Sequence, residues 1–442
     1  MNVNDSEIIS GQLDEMNISM TSDVNQADII IFNTCCVREK VEHKIYSLAG
    51  KISTLKEEKP SLVFAICGCM AQKEKEIIQK RVPSADLILG PSQASSFGDI
   101  LRKHLRNKKN KMLICDNSVH FNLKNVPIKY SNSISAFVQI MKGCNNFCSY
   151  CIVPYTRGPE ESRSPEEILN EISNLSKMGY KEIFLLGQNV NSYGNDMVNG
   201  CDFLNLLRRI NDIKGIERIR FTTSHPKDFN LDLIKVIRDC EKICEHIHLP
   251  MQSGSDNILK KMKRKYDMKK YKQIIEHIRE NMPDASITTD VMVGFPGETE
   301  EDFLNTMEAF KEIQFDSAYT FIYSNRENTL SSLFNEQIDL QTKKERLWKL
   351  IELQKTISTD KNKNIIGQTV EILVENNSKK GIKNQYLGKT RTNKAVVFNY
   401  NDNNCTSGKY SKNGNIIGKI AYIKINKVDA YTLYGELFDV KE

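Results

Sequence analysis

The sequence predicts an α/β protein in three parts, and three patterns carry that prediction. Short apolar runs alternate with charged stretches of helical length from the amino terminus onward, as in chains that stack helices on parallel strands. The alternation continues as six such units between residues 134 and 360, enough for a partial (β/α)6 barrel. Beyond Gly367 it gives way to period-two alternation broken by Asn, Gly and Ser, the pattern of a small antiparallel β-domain. The domain boundaries that follow are 1–118, 130–364 and 366–439.

In the first domain, residues 27–32 and 62–66 are apolar runs of the kind buried parallel strands show, and 38–58 and 71–81 have helical character. Polar residues 117–133 form a linker. In the second domain, strands are predicted at 136–141, 182–186, 218–222, 246–249, 286–293 and 318–322. Helices are predicted between them at 165–178, 202–211, 231–240, 256–263, 268–281 and 300–313. A long amphipathic helix at 345–361 follows, carrying the only tryptophan, Trp348. In the third domain, Val370, Ile372 and Val374 alternate with polar residues, and apolar runs recur at 395–398 and 421–425.

With 40% hydrophobic and 27% charged residues, the chain has the balance of an ordinary globular protein. No run approaches the roughly 18 apolar residues of a membrane span. The amino terminus has neither a basic nor an apolar signal segment, so neither export nor a membrane is expected. Twelve cysteines in so long a chain are no disulfide framework and point to a reducing, cytoplasmic setting. The net charge of +6 is mild, but residues 102–111 hold six Lys/Arg and 260–272 hold eight. Either run could meet phosphates, or be a solvated face.

The densest chemistry lies in Gly143-Cys144-Asn145-Asn146-Phe147-Cys148-Ser149-Tyr150-Cys151. The spacing C-x3-C-x2-C brings three thiolates together from one loop, with no fourth cysteine or histidine nearby. A structural zinc site closes with four ligands, so three argue against zinc. A [4Fe–4S] cubane normally takes four thiolates, and with three, one iron keeps a position open for a small chelating ligand. Tyr150 stands where it could pack against that ligand.

Polar and glycine clusters end the following strands: Gly187-Gln188-Asn189, Thr222 to Pro226, His248 to Gln252, 290–299 with Gly294 and Gly297, and 321–326. Any one could be ordinary turn chemistry, but together they suit a site on one rim. In the first domain, Asn33-Thr34-Cys35-Cys36 and Cys67-Gly68-Cys69 follow successive strands, where cysteines can converge on a second cluster. Free or core thiols are the plainer alternative there. Cys115, Cys201 and Cys405 carry no pattern, while Cys240 and Cys244 fall four apart on a predicted helix as half of a metal site that nothing completes.

The cysteine loop resembles that of the radical S-adenosylmethionine enzymes. The whole chain resembles the radical-SAM methylthiotransferases, in the branch that acts on dimethylallyladenosine in tRNA. The match rests on Asn33-Thr34-Cys35 with Gly68-Cys69, on Gly143 through Gly158 with Ser162-Arg163, on His248 to Gln252 and 321–326, and on a terminal β-barrel of the TRAM type. That resemblance implies two [4Fe–4S] clusters and S-adenosylmethionine. Cys144, Cys148 and Cys151 would hold the first cluster, whose open iron takes the amino and carboxylate groups of S-adenosylmethionine. Tyr150, Gly187, Gln188, Asn189, Ser224 and Gln252 would contact that cofactor. The resulting radical would take hydrogen from C2 of a prenylated adenine beside the anticodon, and an auxiliary cluster on Cys35 and Cys69 would supply sulfur.

The implied partners are the tRNA anticodon stem-loop and a reductant protein such as flavodoxin or ferredoxin, with a monomeric, cytoplasmic enzyme. Lys379, Lys380, Lys383, Lys389, Arg391 and Lys394 cluster in two turns of the terminal barrel and could meet tRNA phosphates, or form a soluble loop surface. The third auxiliary cysteine of the family would fall two residues before Met1, so the true start is expected upstream. Cys36 and Cys67, each beside a ligand already used, are poor substitutes. A chain beginning at Met1 should have a first domain weakened by unpaired strand edges. Two neighbouring readings are a methylthiotransferase for threonylcarbamoyl-adenosine or for a ribosomal-protein aspartate. From another class, a non-catalytic RNA-binding zinc protein is the rival.

Overall fold

The computed structural model describes residues 1–35, 39–107, 111–116, 122–198, 200–377, 384–400 and 416–441. Cys36, Cys405, Lys379, Lys380 and Lys383 lie outside them. The first unit is a four-stranded parallel sheet in the order β1 (Ile29–Thr34), β2 (Val63–Gly68), β3 (Leu87–Leu89), β4 (Met112–Ile114). Helices α1 (Asn2–Glu15) and α4 (Phe97–Arg106) cover one face, where Ile8, Ile9, Leu13 and Leu101 pack on Val63, Ala65 and Leu87. Helices α2 (Glu39–Glu58) and α3 (Cys69–Arg81) cover the other, closing over Phe64, Ile66 and Ile88. Every residue of β2 is buried, as a strand covered on both faces must be. The sheet is open, with β1 and β4 at its edges. β1 pairs directly with β2 from Ile29↔Val63 to Thr34↔Gly68, so the four strands are hydrogen-bonded throughout.

The second unit begins with β5 (Ser135–Gln139), a hairpin of β6 (Met141–Lys142) and β7 (Glu161–Ser162) around the cysteine loop, and the short helix α5 (Val153–Arg157). The βα units then follow: α6 (Pro165–Lys177), β8 (Glu182–Leu186), α7 (Phe203–Asn211), β9 (Arg218–Phe221), α8 (Asp232–Asp239) and β10 (His246–His248). They continue through α9 (Asp256–Lys261), α10 (Met268–Asn281), β11 (Ser286–Val293), α11 (Glu300–Ile313), β12 (Ser317–Ile322) and the long α12 (Leu340–Lys363). All six strand predictions are found within a residue or two. The sheets β5-β8-β9 and β10-β11-β12 are each parallel and meet through a bridge between Ile219 and Ile243, giving one curved, open barrel. Side chains alternate as the pleat requires. Ile183, Leu185, Ile219 and Phe221 pack outward into the helix layer. Phe137, Phe184 and Arg220 are register neighbours on the inner face. One helix prediction is corrected: α8 ends at Asp239, so Cys240 only caps it and Cys244, whose amide bonds Ile219 O, lies beyond it beside β9.

The third unit is a closed barrel, β13 (Thr369–Asn377), β14 (Gln385–Thr390), β15 (Ala395–Asn399), β17 (Thr432–Val440) and β16 (Ile420–Val428) in spatial order, antiparallel except where β15 meets β17. It docks on the amino-terminal ends of the larger barrel's strands. Ile134, just before β5, packs on Leu373 and Ile420. Arg218, which opens β9, donates to Lys389 O at 2.6 Å and Glu371 at 2.8 Å. Arg220 donates to Thr390 O at 2.7 Å, Arg391 O at 2.8 Å and Glu182 at 2.6 Å. Arg391 forks onto Glu245, just before β10.

This geometry corrects the expectation that Lys389, Arg391 and Lys394 face RNA. Lys394 reaches Asp316 at 3.0 Å and Asn362 at 2.8 Å, and Lys389 lies near Glu375 and over the Phe184 ring. Clustered cations in a sequence do not reveal the carboxylates that tertiary contact places against them.

Candidate functional site

The opposite rim, at the carboxyl ends of the strands, collects the chemistry. Gly143 turns the chain out of β6 at φ +76°, and a methyl group there would overlap Pro159 O. The loop it launches is held on all sides. Cys144 N donates to Gly158 O at 3.2 Å, Ser149 N to Met262 O at 3.1 Å, and Ser149 Oγ to Lys261 O at 2.8 Å. Ile152, next to the last cysteine, inserts into the core of the first unit. Arg157 closes a buried ion pair with Asp5 of α1 at 2.5 Å. Gly143→Ala should therefore lower iron uptake and cost about 1–3 kcal/mol of strain. Gly50→Ala, where nothing stands within 4 Å, is the control and should keep both iron content and melting temperature.

Cys144, Cys148 and Cys151 face one another closely enough to interact electrostatically. Burial, reinforced by neighbouring thiols, pushes Cys151 up to about 12, and burial raises Cys144 as well. Without a cation Cys144 and Cys151 are neutral thiols, and thiolates at those positions require a positive group to hold them. Among the described residues no three His, Cys, Asp or Glu side chains are grouped as for a single metal ion. Thiolates on three corners of a cube stand wider than ligands of one ion.

Around the loop, polar atoms are buried without partners: Gln188 Oε1, Asn189 Oδ1, Asn191 Oδ1, Ser224 Oγ and His225 Nε2. Each leaves a desolvated group that a polar ligand would satisfy. Asn189 is fixed by donating Nδ2 to Asp228 at 2.8 Å, and Gly187 O accepts from Thr223 Oγ1 at 2.6 Å. Thr223 and Gln252 both hold φ of 68°, strained for residues other than glycine, and such strain concentrates at binding sites. Gln252 is tied by its backbone to Asp290 O and Met292 N. Tyr150 packs into an apolar cluster with Ile258, Met262, Phe295 and Tyr323.

Two residues of this rim have no individual role in the sequence reading: His225, inside the Thr222 to Pro226 cluster, and Arg264, inside the basic run. His225 Nδ1 accepts from Lys227 N at 3.1 Å. Burial and the charges of Arg264, Lys227, Lys265 and Lys270 hold the ring far below its ordinary value. The ring is therefore neutral with its proton on Nε2, a donor facing the site. Arg264 lay hidden in the basic run 260–272, yet it is buried with Nη1 3.4 Å from Cys148 Sγ. A neighbour of opposite character, Glu298, belongs to the scaffold, since it pairs with Arg346 of α12 at 2.7 Å.

In the first unit, Cys35 and Cys69 each lie one residue beyond the last register pair, Thr34↔Gly68, at the carboxyl ends of β1 and β2. Arg157, from the cysteine-loop unit, hydrogen-bonds Cys69. Cys67 points to the opposite face of the sheet and is core.

An open parallel barrel with a three-cysteine loop and unpartnered polar atoms at its strand ends defines the radical S-adenosylmethionine class. Residues 138–310 match the Radical SAM superfamily, which implies a [4Fe–4S] cluster and S-adenosylmethionine, and residues 363–438 match the TRAM domain. Residues 1–90 match Uncharacterized protein family UPF0004. Similar curated proteins are named tRNA-2-methylthio-N(6)-dimethylallyladenosine synthase. The one from Acetivibrio thermocellus is 46% identical over 99% of this chain and 88% of its own length. The one from Thermoanaerobacter pseudethanolicus is 45% identical over 100% and 91%, and that from Clostridium tetani 46% over 99% and 94%. Among solved structures, the radical S-adenosylmethionine methyltransferase TsrM of Kitasatospora setae aligns with TM-score 0.52 and 13% identity over 72% of this chain and 69% of its own, a likeness of fold alone. The chain belongs to the family of tRNA-2-methylthio-N(6)-dimethylallyladenosine synthases.

Proposed function

We propose that this protein transfers a methylthio group to C2 of N6-dimethylallyladenosine beside the anticodon of tRNA. The observation that carries the reading is the cysteine loop, clamped between two units and faced by buried polar atoms that lack partners. A [4Fe–4S] cluster with S-adenosylmethionine supplies one-electron chemistry for a C–H bond too strong and too unpolarised for an acid or base. The chain's own residues do the rest. Cys144, Cys148 and Cys151 hold the cluster from one loop. Gln188, Asn189, Ser224 and Gln252 contact the amino acid end of S-adenosylmethionine with Gly187, His225 Nε2 donates to it, and Tyr150 seals the apolar side.

Cys35 and Cys69 hold the auxiliary, sulfur-bearing cluster, with Arg157 bonded to Cys69. Phe147 and Tyr155 support docking of an anticodon loop, for their rings are exposed and meet edge to face at 6.3 Å beside the cysteines. Unstacked bases bind such rings. Electrons come from a reductant protein of the flavodoxin or ferredoxin kind, and the enzyme works as a cytoplasmic monomer. No helix among the described residues is long and apolar enough to cross a membrane.

Nucleoside analysis of tRNA from a deletion strain tests the substrate. The methylthio group on dimethylallyladenosine should vanish while threonylcarbamoyl-adenosine derivatives persist. The reverse pattern, or loss of methylthio-aspartate from a ribosomal protein, would transfer the reading to that substrate.

A further inference from the structure

Among the described residues seven arginines are buried. Six of them face a carboxylate: Arg157 with Asp5, Arg163 with Glu171, Arg218 with Glu371, Arg220 with Glu182, Arg326 with Glu42 and Arg346 with Glu298. Arg264 is the exception. The residue is 5% exposed, and its guanidinium has no acidic partner among the described residues. Its partners are neutral groups and one thiol. Nη2 donates to Pro250 O at 3.2 Å, Nε to Tyr266 Oη at 3.2 Å, and Nη1 to Cys148 Sγ at 3.4 Å. A buried, unpaired guanidinium is among the costliest groups a fold can carry. Six other sites in this chain show how the fold normally avoids that cost. The one anion this geometry provides for is a thiolate at Cys148, together with whatever negative charge is bound to it.

We propose that Arg264 is a positioning residue that sets the redox poise of the cluster held by Cys144, Cys148 and Cys151. This rests on the cluster reading above. A fixed positive charge and an N–H donor at a ligand sulfur favour the more negative, reduced form of an iron–sulfur cluster. Arg264 therefore makes one-electron reduction by a low-potential donor easier. Nη1 alone touches the ligand, while Pro250 O and Tyr266 Oη hold the plane of the fork, so the charge is aimed and not merely nearby.

The test uses full-length protein reconstituted anaerobically with iron and sulfide, in a Cys35→Ala/Cys69→Ala background so that one cluster reports. The reduced-to-oxidised ratio is read by electron paramagnetic resonance in a dithionite titration. At the parent midpoint, Arg264→Met should lower that ratio about tenfold, equivalent for a one-electron couple to about 59 mV. Arg264→Lys should recover most of it, and Tyr266→Phe, which keeps the charge, should stay within about twofold. An Arg264→Met protein with parental iron and sulfide content and an unchanged ratio overturns the proposal. If that variant does not fold, Arg264→Gln is titrated in its place under the same criteria. If neutral variants fold but take up no iron while Arg264→Lys does, the charge acts at assembly and not on the redox poise, and the proposal falls. If Lys fails alongside them, the role is one of shape and the proposal falls. A parent protein whose iron uptake is indifferent to Cys148→Ala would instead sink the cluster reading.

Discussion

Replacing Cys148 with alanine should reduce methylthio-nucleoside formation at least about 1,000-fold, a barrier increase of about 4 kcal/mol or more. The loop offers three thiols and no substitute, since Arg264 can only donate and Tyr150 is committed to its apolar cluster. Cys144→Ala and Cys151→Ala should behave alike. Losing any one leaves a second iron corner open to solvent in place of a single, ligand-specific one. The check is iron content, formation of 5′-deoxyadenosine with dithionite, and nucleoside product, measured in parallel. Cys240→Ala is the matched control, because that thiol merely ends α8 and packs on the helix layer. Retention of iron and product by any of the three loop variants would remove the loop from the chemistry.

The second large effect lies at the other end of the strands. Arg220→Met should destabilise the protein by about 3–5 kcal/mol, the usual cost of stranding one partner of a buried ion pair. Glu182 would be left with its carboxylate 1% exposed and only Ser135 Oγ, at 3.0 Å, to bond it. The carbonyls of Thr390 and Arg391 would lose their donors in the same step. Glu182→Gln combined with Arg220→Met should lose less than the sum of the single changes, because no charge is then stranded. Thermal unfolding gives the magnitude, and limited proteolysis in the 364–369 connection gives the cause, by releasing the small barrel more readily. A melting temperature within about 2 °C of the parent, the shift that about 1 kcal/mol produces in a domain this large, would show that the two barrels do not depend on this bridge.

Much of this was legible from residues alone, for reasons that differ between elements. The strands of the larger barrel could be read because each is a short apolar run whose outward side chains meet helices, so burial is written into composition. The cysteine loop could be read because its ligands are local, the first and last only seven positions apart, at 144 and 151. α1 carries no helical signal in its sequence, since it buries Asn4, Asp5, Glu7 and Gln12 and shows no apolar stripe. Asp5 makes sense only once Arg157 is seen beside it. The basic run 260–272 was misleading in a similar way. It alternates exposed lysines with buried residues, and the single arginine that turns inward is the one at the cysteine loop.

The sequence by itself determined the order of strands and helices, the three thiols and the family, because those depend on local spacing and short-range patterning. Tertiary structure decided which charges are spent in the scaffold and which face the chemistry. It put Lys389, Arg391 and Lys394 against the core, left Arg264 without a carboxylate, and set the small barrel at the end of the strands away from the cysteines. The reason is electrostatic. A charge is stable in a low-dielectric interior only beside its partner, and that partner is usually far away along the chain.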